Sequence, residues 1–308
     1  MQQGALVVGE SLVDIVHERD GSVIGYPGGS AANVAVALAR LGRPTWFATS
    51  YTDDDHGRLI ADHLGRDQVR LATDVAAIDH TSAAVATIAA DGAARYRFDI
   101  DWRLNPLALP DSVQPVALHA CSLGAVLMPG CEQVYELVDR LRVGALVSYD
   151  LNARPAVTGS GPEVLARLQR LVAISDVVKA SEEDLDVLYP DLDHLAAARD
   201  LLAHGPRAVV VTKSHEGALV LTHSGTVHAP APMGVVVADT IGAGDTVGAA
   251  LLDALWAKDV VGHDARTRLD ALTPDTWREI LTYAGRAASV TVSRPGANPP
   301  YRGELIAG

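Results

Sequence analysis

One aspartate of the sequence stands inside a run of small residues. In GAGDTVG, Asp245 directly follows Gly242, Ala243 and Gly244, and residues 246–255 have the composition of a helix. Free amides in a flexible turn, together with the positive end of a helix dipole, form a site for a phosphate or for charge that develops on one. In such a field we expect Asp245 to be ionised. A plain N-terminal helix cap is the alternative role for this carboxylate.

A second run of small residues, PGGSAANVAVALARLG at 27–42, also opens a predicted helix. Its glycine pair allows a tight turn, and Ser30 is suited to cap a helix over residues 31–41. Asn33 is the polar exception in the first turn of this apolar helix. Its amide could satisfy a local backbone group, or it could bind a neutral, hydroxyl-rich ligand as both donor and acceptor. The segment leaves both roles open.

Other classes of anion-binding protein fit the sequence poorly. The P-loop pattern GxxxxGK[ST] is absent, and GAGDTVG spaces its glycines as GxGxxxG rather than GxGxxG. Only about a fifth of the chain follows this turn, which leaves no room for the sheet of a dinucleotide-binding fold. The formal net charge of -13 gives no general attraction to nucleic acid or to an anionic membrane. We therefore expect neither as a partner.

Apolar, β-branched runs alternate with helical stretches along most of the chain. They predict strands at 5–9, 116–127, 144–152, 175–181 and 207–213, and helices at 161–175 and 192–205. Near-continuous apolar strands between helices are typical of a parallel sheet that is covered on both faces, a doubly wound α/β fold. A further strand-like run at 235–240 leads into the glycine-rich turn.

The polar residues that end these strands indicate where a ligand binds. Ligands of doubly wound sheets collect outside the carboxyl ends of the strands. The residues in that position are Asp150, Asn152, Lys179, Ser181, Thr212 and Lys213. Lysine occurs only at 179, 213 and 258, so the first two are candidates for a site that needs a compact ammonium group.

Two segments, 12–27 and 82–101, alternate apolar and polar residues around the pairs Asp20-Gly21 and Asp91-Gly92. This pattern predicts hairpins that build a small sheet. The small sheet is either a flap over a ligand site or an edge extension of the main sheet. The two alternatives stay open from the sequence.

Length and composition suit one large globular unit with a small appendage. The chain has 308 residues and 48% hydrophobic content, enough to bury a large core. Cys121 and Cys131 belong to no metal-ligand pattern and are expected to be reduced thiols. The N-terminus lacks a basic signal region, and no apolar run approaches the roughly 18 residues of a membrane span. We expect a cytoplasmic protein.

The two small-residue runs, taken together in this order and separation, resemble the signature motifs of the ribokinase-like, or PfkB-type, carbohydrate kinases. The similarity continues through GESLVDIV at 9–16, DLNARP at 150–155, VVKASEEDL at 177–185, VVVTKSHEGAL at 209–219 and SRPGANPP at 293–300. GESLVDIV, the motif at 27–42 and SRPGANPP are most similar to the fructokinase branch.

This resemblance implies a single ribokinase-like domain over 1–308. The implied fold is a three-layer α/β/α unit with a mostly parallel central sheet and a small β-sheet lid from about 12–27 and 82–101. The implied reaction transfers the γ-phosphoryl group of ATP to a sugar hydroxyl, most simply converting D-fructose to fructose 6-phosphate. A 2-keto-3-deoxygluconate kinase is the alternative, and a noncatalytic sugar-binding regulator is a distant one. A homodimer through the lid is also implied.

The resemblance assigns roles to individual residues. Asp245 would be the base that accepts the proton of the sugar hydroxyl, and Gly242, Ala243 and Gly244 would form the anion hole for the transferring group. The expected sugar contacts are Asp14, Gly29, Asn33, Arg97 and Arg154. The expected ATP contacts are Lys179, Ser181, Thr212, Lys213, Gly217 and Gly244.

Two ions are also implied by the resemblance. Asp184 would hold Mg2+ through water, although Ser181 and Asp184 replace the Asn and Glu that are usual in relatives and Ser214 replaces a glycine. A K+ ion would be bound by Asp239, the carbonyl of Ile241 and carbonyls in 291–296. Pro300 stands where some ribokinases have a serine ligand.

Overall fold

The computed structural model describes residues 1–17, 22–88 and 94–306. Within them lie thirteen strands: β1 (Gln2–Val8), β2 (Leu12–His17), β3 (Val23–Gly28), β4 (Thr45–Ala48), β5 (Arg70–Leu71), β6 (Ala83–Ile88), β7 (Ala94–Asp99), β8 (Val113–Cys121), β9 (Leu146–Asp150), β10 (Val177–Ser181), β11 (Ala208–Thr212), β12 (Ala218–Thr222) and β13 (Gly225–Ala229). Nine of them form one sheet in the order β13-β12-β11-β10-β9-β8-β1-β4-β5.

From β11 to β5 every pairing in this sheet is parallel, and the two pairings at one edge, β11 with β12 and β12 with β13, are antiparallel. Successive residues of the central strands enter two separate cores. Val7 and Val210 belong to one core, whereas Val8, Val209 and Val211 belong to the other. Because both faces are covered, the central strands are mainly apolar on both sides. The predicted doubly wound α/β fold is confirmed.

The helices are α1 (Ser30–Arg40), α2 (Asp55–Arg66), α3 (Gly130–Leu141), α4 (Pro155–Thr158), α5 (Pro162–Ala173), α6 (Glu182–Leu188), α7 (His194–Ala203), α8 (Ala243–Ala257), α9 (Ala265–Asp270), α10 (Pro274–Val292) and α11 (Arg302–Ile306). Helices α1, α8 and α10 pack on one face of the large sheet, and α3, α5 and α7 pack on the other. The three layers match the predicted α/β/α architecture. Among the described residues, no helix combines the length and the apolar character needed to cross a membrane.

The four remaining strands form a separate small sheet in the order β3-β2-β6-β7. Strand β2 pairs antiparallel with β3 and parallel with β6, and β6 pairs antiparallel with β7. The two alternating segments therefore build a sheet of their own and do not extend the edge of the large one. The predicted turn pairs Asp20-Gly21 and Asp91-Gly92 lie outside the described residues. Cys121 and Cys131 are free thiols, as expected.

The strand predicted at 235–240 is wrong. This run has no strand partner, and the side chains of Val236 and Val237 are exposed. The amides of Ala238 and Asp239 donate instead to the carbonyl of Val292, the last residue of α10. The segment is therefore a loop anchored to a helix end. An apolar β-branched run becomes a strand only where a neighbouring strand satisfies its backbone.

Candidate active site

Helix α8 begins at a turn that only glycine can make. Gly242 is its N-cap residue, with φ at 75°, and a Cβ atom there would lie 2.7 Å from the Cβ of Ala297. No side chain caps the first turn of the helix. The amide of Ala243 donates to the Thr240 carbonyl at 3.2 Å, so it is partly engaged before any ligand arrives. The rest of this first turn keeps the anion-binding geometry that the sequence predicts.

Asp245 is the third residue of α8 and is buried, so it is not the helix cap. Its carboxylate is held by two side chains of α1, the helix that packs beside α8. The hydroxyl of Ser30 donates to Oδ1 at 2.6 Å, and the amide of Asn33 donates to Oδ2 at 2.8 Å. These bonds join the two small-residue runs of the sequence at one carboxylate.

Ser30 and Asn33 do not have the local roles that their own segment suggests. Gly29, not Ser30, is the N-cap residue of α1, and Ser30 is the first residue inside the helix. Its hydroxyl is thus aimed at Asp245 and does not cap the helix. Asn33 likewise binds Asp245 instead of a nearby backbone group. Within the described residues its Oδ1 atom is buried without a hydrogen-bond partner, which leaves an acceptor for a ligand hydroxyl.

The pKa of Asp245 is set by its burial and by the groups around it. Burial raises the pKa of Asp245 above its ordinary value, while the bonds from Ser30 and Asn33 and the charges of Lys179 and Arg154 oppose that rise. A carboxylate with a raised pKa is a better acceptor for a proton at neutral pH.

Lys179 and Asp150 form a buried ion pair at the carboxyl ends of β10 and β9. The ammonium Nζ lies 2.8 Å from Oδ2 of Asp150, and both side chains are almost fully enclosed. Burial raises the pKa of Asp150 to about 6 despite this ammonium group. Burial alone would lower the pKa of Lys179, but the carboxylates of Asp150, Asp184 and Asp245 raise it. A Cβ atom on Gly244 would lie 3.4 Å from Nζ, so this charge sits at the α8 turn.

Ser181 and Asp184 form a capping box at the start of α6. The Ser181 hydroxyl accepts from the Asp184 amide at 3.0 Å, and Asp184 Oδ2 accepts from the Ser181 amide at 2.7 Å. The other oxygen, Oδ1, accepts from the amide of Ala153 at 2.7 Å. These bonds fasten the loop after β9 to the helix after β10. They give both residues a structural role, and their roles toward ATP and Mg2+ stay predictions.

The remaining residues predicted for ATP lie after β11. The Thr212 hydroxyl points to the carbonyl of Ala180 at 3.5 Å. Lys213 donates to Glu216 at 2.8 Å and also faces Glu182 at 3.3 Å. Gly217 has φ at 100°, and a Cβ atom there would lie 2.2 Å from the carbonyl oxygen of Ala229. The turn after β11 therefore requires glycine at 217.

The residues predicted for the sugar surround the start of α1 with one exception. Gly29 has φ at 101°, and a Cβ atom there would lie 2.9 Å from the carbonyl oxygen of Glu10. Asp14 of β2 is exposed, and its carboxylate lies beside Gly28. The exposed Arg154 acts electrostatically on Asp245.

The exception is Arg97. It is an exposed residue of β7, paired across the small sheet with Val85. No contact among the described residues joins it to the cluster around Asp245. A role for Arg97 in sugar binding stays a prediction.

The predicted K+ region is assembled by Asp239. One of its oxygens accepts from the amide of Ile241 at 3.0 Å, and the other accepts from the amide of Gly296 at 2.8 Å. These bonds bring together the loop before α8 and the segment 291–296, as the resemblance implies. In the described part of the chain, no cluster of three or more His, Cys, Asp or Glu side chains is suited to a metal ion.

Glu10 is the residue of the site that the sequence interpretation missed. It is buried just after β1, and its Oε2 atom accepts from the amide of Gly124 at 2.6 Å. Burial raises the pKa of Glu10 to about 7; the charge of Asp245 adds to the rise and that of Arg154 opposes it. An acid directly after an apolar strand was the available signal, because ligands collect at that end of the sheet.

Near the predicted nucleotide side, His194 bridges two carboxylates. Its Nδ1 atom lies 2.9 Å from Glu182 and its Nε2 atom lies 2.8 Å from Asp186. Carboxylates only accept, so both ring nitrogens must carry protons for both bonds to form. The bond to Asp186, followed by that to Glu182, raises the pKa of His194.

This bridge predicts a pH-dependent contribution to stability. The folded pKa of His194 lies above its unfolded value of about 6.5, so the contribution is complete below that pH and is lost as pH rises through the folded pKa. We expect His194→Gln to lower the melting temperature by about 1–3 °C at pH 5.5 and by less at pH 9. The control is His263→Gln, since His263 is exposed and contacts a single carboxylate. An equal effect at both pH values would contradict the prediction.

Comparison with known proteins adds to this geometry. The sequence model of the pfkB family carbohydrate kinases matches residues 3–302. A fructokinase of Rhizobium leguminosarum bv. trifolii is 36% identical over 263 residues, covering 81% of this chain and 79% of that protein. An aminoimidazole riboside kinase of Salmonella typhimurium is 32% identical over 267 residues, covering 83% of this chain and 82% of that protein.

Solved structures give the same result. The fructokinase of Xylella fastidiosa with bound ATP superposes with a TM-score of 0.86 at 26% identity, covering 100% of this chain and 98% of that one. A double mutant of the Vibrio cholerae O395 fructokinase, with fructose, ADP and potassium bound, has a TM-score of 0.80 at 26% identity with the same coverage.

Proposed function

The chain belongs to the pfkB family of carbohydrate kinases, and from this premise we propose that it phosphorylates D-fructose with ATP to give fructose 6-phosphate. The family predicted from the two small-residue runs is thereby confirmed. The similar proteins include fructokinases, and one of their structures holds fructose together with ADP. The observation that carries the proposal is the buried carboxylate of Asp245 beside the uncapped first turn of α8 and the ammonium of Lys179.

In the proposed reaction, the oxygen of a sugar hydroxyl attacks the γ-phosphorus of ATP and its proton passes to Asp245. The bond between the γ-phosphorus and the bridging oxygen breaks, and ADP leaves with that electron pair. The base need not be strong in a loose phosphoryl transfer, because alignment and charge stabilisation dominate. Gly242, Ala243 and Gly244 would supply the anion hole, and Lys179 would add a full positive charge to it.

The sugar is proposed to lie between the start of α1 and the small sheet. Asn33 supports this placement, because its Oδ1 atom is an unused acceptor among the described residues while its amide holds Asp245. Asp14 would accept from further hydroxyls, Gly29 would allow close approach, and Arg154 would face the ring. Arg97 would reach the sugar only if the small sheet closes as a lid.

The nucleotide is proposed to cross the carboxyl ends of β10 and β11, where Thr212, Lys213 and Gly217 form its cradle. ATP would arrive with Mg2+, which neutralises phosphate charge. The carboxylates nearby, Asp150 and Asp184, offer few free oxygens to Mg2+, so the phosphates would supply most of its ligands. Asp150 Oδ1 is buried without a described partner, whereas both oxygens of Asp184 already bind backbone amides. Any contact from Asp184 to Mg2+ would pass through water.

A monovalent cation is proposed beside the same turn. Asp239 already holds the Ile241 and Gly296 segments together, which supports a K+ site built from its neighbouring carbonyls. The Vibrio cholerae fructokinase structure contains a potassium ion. A cation there would add positive charge behind the anion hole.

The small sheet is proposed to act as the lid and as a dimer interface. Its strand β3 exposes Val23, Ile24 and Tyr26. Exposed apolar side chains grouped on one strand are typical of a surface that a partner covers. We propose that a second copy of the chain covers this surface. We also propose a cytoplasmic location.

A panel of substrates tests the proposed function. In a coupled assay of ADP release with Mg-ATP and K+, we expect kcat/KM for D-fructose to exceed that for ribose, adenosine and 2-keto-3-deoxygluconate by at least about tenfold. A second cation free to bind the sugar would favour the acid. Among the described cations that act on Asp245, Lys179 is buried against Asp150 and leaves Arg154 alone at the exposed side, so we expect the neutral sugar to be preferred. Higher turnover of the acid would support the alternative kinase. No turnover with any sugar would support the noncatalytic regulator.

A further inference from the structure

A chain of side-chain hydrogen bonds leads into Asp245 from the main sheet. The amide Nδ2 of Asn152 donates to the hydroxyl of Ser30 at 2.9 Å, and that hydroxyl lies 2.6 Å from Asp245 Oδ1. The three residues come from the loop after β9, the start of α1 and the start of α8. Their contact therefore exists only in the assembled fold.

The direction of both bonds follows from the proton count. A serine hydroxyl has one proton to donate, and an ionised carboxylate can only accept. Ser30 must therefore give its proton to Asp245, and its own lone pair must accept from Asn152. The opposite amide orientation would place two acceptors around one proton. Only the amide nitrogen of Asn152 facing Ser30 satisfies all three groups.

Asn152 is built into the fold as a fixed donor. Its φ of 37° lies in the left-handed region, which asparagine tolerates better than most residues. Its carbonyl accepts from the hydroxyl of Ser122 at 3.1 Å, and Ser122 also has a positive φ, 52°. Two unusual backbone conformations at the ends of β8 and β9 thus hold one amide against Ser30. Strain of this kind is concentrated at functional sites.

We propose that Ser30, oriented by Asn152, is a positioning residue that fixes the rotamer of Asp245 and keeps its carboxylate ionised for proton transfer. The proposal rests on the proposed kinase activity. Ser30 and Asn33 each occupy one lone pair of the carboxylate, so a sugar hydroxyl can donate to a lone pair that remains. Ser30 thus acts through Asp245 and does not need to touch the sugar.

The electrostatics give this bond a measurable effect. Burial raises the pKa of Asp245, and the bond from Ser30 is the largest influence that opposes the rise. The other charged or titratable groups that act on this carboxylate, or respond to its charge, are Lys179, Arg154, Glu10, Asp150 and Cys121. Cys121 also hydrogen-bonds the Ser30 hydroxyl, but burial raises the pKa of this thiol well above its ordinary value, so it stays neutral across the pH profile. The other groups remain in place when Ser30 is changed, so a shift of the acid limb reports on the hydroxyl itself.

The test compares Ser30→Ala, Asn152→Gly, the double variant and Ser30→Thr by steady-state kinetics from pH 5 to 9. Ser30→Ala should lower kcat about 10- to 100-fold, leave KM for fructose within about threefold, and move the acid limb of kcat up by about one pH unit. Asn152→Gly accommodates the positive φ and should give a smaller loss with the same shift. The double variant should be no worse than Ser30→Ala, because Asn152 acts through Ser30. Ser30→Thr should retain most activity.

Matched controls separate this role from others. Ser148→Ala also removes a buried serine hydroxyl, one bonded to His119, and should leave the pH profile unchanged. A rise in KM for fructose with unchanged kcat would overturn the proposal by making Ser30 a sugar contact. Additive losses in the double variant, or an unshifted acid limb, would also overturn it.

A second measurement, thermal unfolding, does not require enzyme activity. If the wild type phosphorylates no sugar, the proposed function fails, and the positioning role is then tested by thermal unfolding. Without the hydroxyl of Ser30 the folded pKa of Asp245 rises further above its unfolded value, so stability falls as pH rises through it. Ser30→Ala should therefore be more destabilising at pH 8 than at pH 5. A pH-independent difference would contradict the positioning role by itself.

Discussion

Asp245→Asn is expected to lower kcat by about 10²- to 10⁴-fold, the range that a positioned general base contributes. The substitution keeps the side chain's size but removes its capacity to take the sugar's proton. Ser30 and Asn33 both donate to this carboxylate, so the variant presents one unmatched amide group to them. It also removes a buried charge, and we therefore expect the free energy of unfolding to change little.

The measurement pairs kinetics with binding. Calorimetric titration should give fructose and ADP affinities within about threefold of wild type, because Asp245 contributes mainly to the transition state. Asp62→Asn, an exposed acid on α2, is the control and should be fully active. Retention of kcat within tenfold would remove Asp245 as the base.

The strands and helices of the large domain could be predicted because each is a local pattern. The runs at 175–181 and 207–213 have valine-rich centres whose two faces are both buried, and they correspond to β10 and β11. The run at 235–240 has the same composition but no strand beside it. Composition describes a side chain's preference, whereas strand formation depends on a partner that is distant in sequence.

The features of the site likewise fall into those that a local pattern predicts and those that depend on residues distant in sequence. The turn before Asp245 could be predicted because its glycine, its helix and its acid are adjacent in the chain. The contact between Ser30 and Asp245 spans 215 positions, and that between Asn152 and Ser30 spans 122. Such contacts leave no local pattern in the sequence. The local pattern around Ser30 therefore predicts only that it caps its own helix. Glu10 has a local signal, its position after an apolar strand, but its contact with Gly124 spans 114 positions and leaves none.

Lys179 is a further case in which structure changes the meaning of a prediction. The family resemblance assigns Lys179 to ATP, and the sequence places this residue, one of the chain's three lysines, at the end of a strand. Its ammonium is buried against Asp150 and lies at the turn of α8 instead of projecting into open solvent. It compensates a buried carboxylate, and in the proposed reaction it would also neutralise the transferring phosphoryl group. These two roles have separable consequences.

Lys179→Met is expected to reduce both activity and stability. Loss of one preorganised charge at a developing anion costs about 10²- to 10³-fold in kcat. Asp150 would be left buried without its partner, which destabilises the fold by about 3 kcal/mol. The folded pKa of Asp150, already raised to about 6, would rise further, so this destabilisation should be greater at pH 8 than at pH 5. Chemical denaturation at the two pH values measures it.

The double variant Lys179→Met/Asp150→Asn separates the two roles. Removing both charges no longer leaves Asp150 as an uncompensated carboxylate, so we expect at least half of the lost stability to return and most of its pH dependence to be lost. The remaining pH dependence would come from Asp245, whose pKa Lys179 also lowers. Activity should stay low, because the ammonium at Gly244 is still missing. If stability and kcat recovered together, Lys179 would act only by holding the fold. If neither changed in Lys179→Met alone, the buried pair would contribute to neither role, and the positive charge at the α8 turn would have to come from the bound cations.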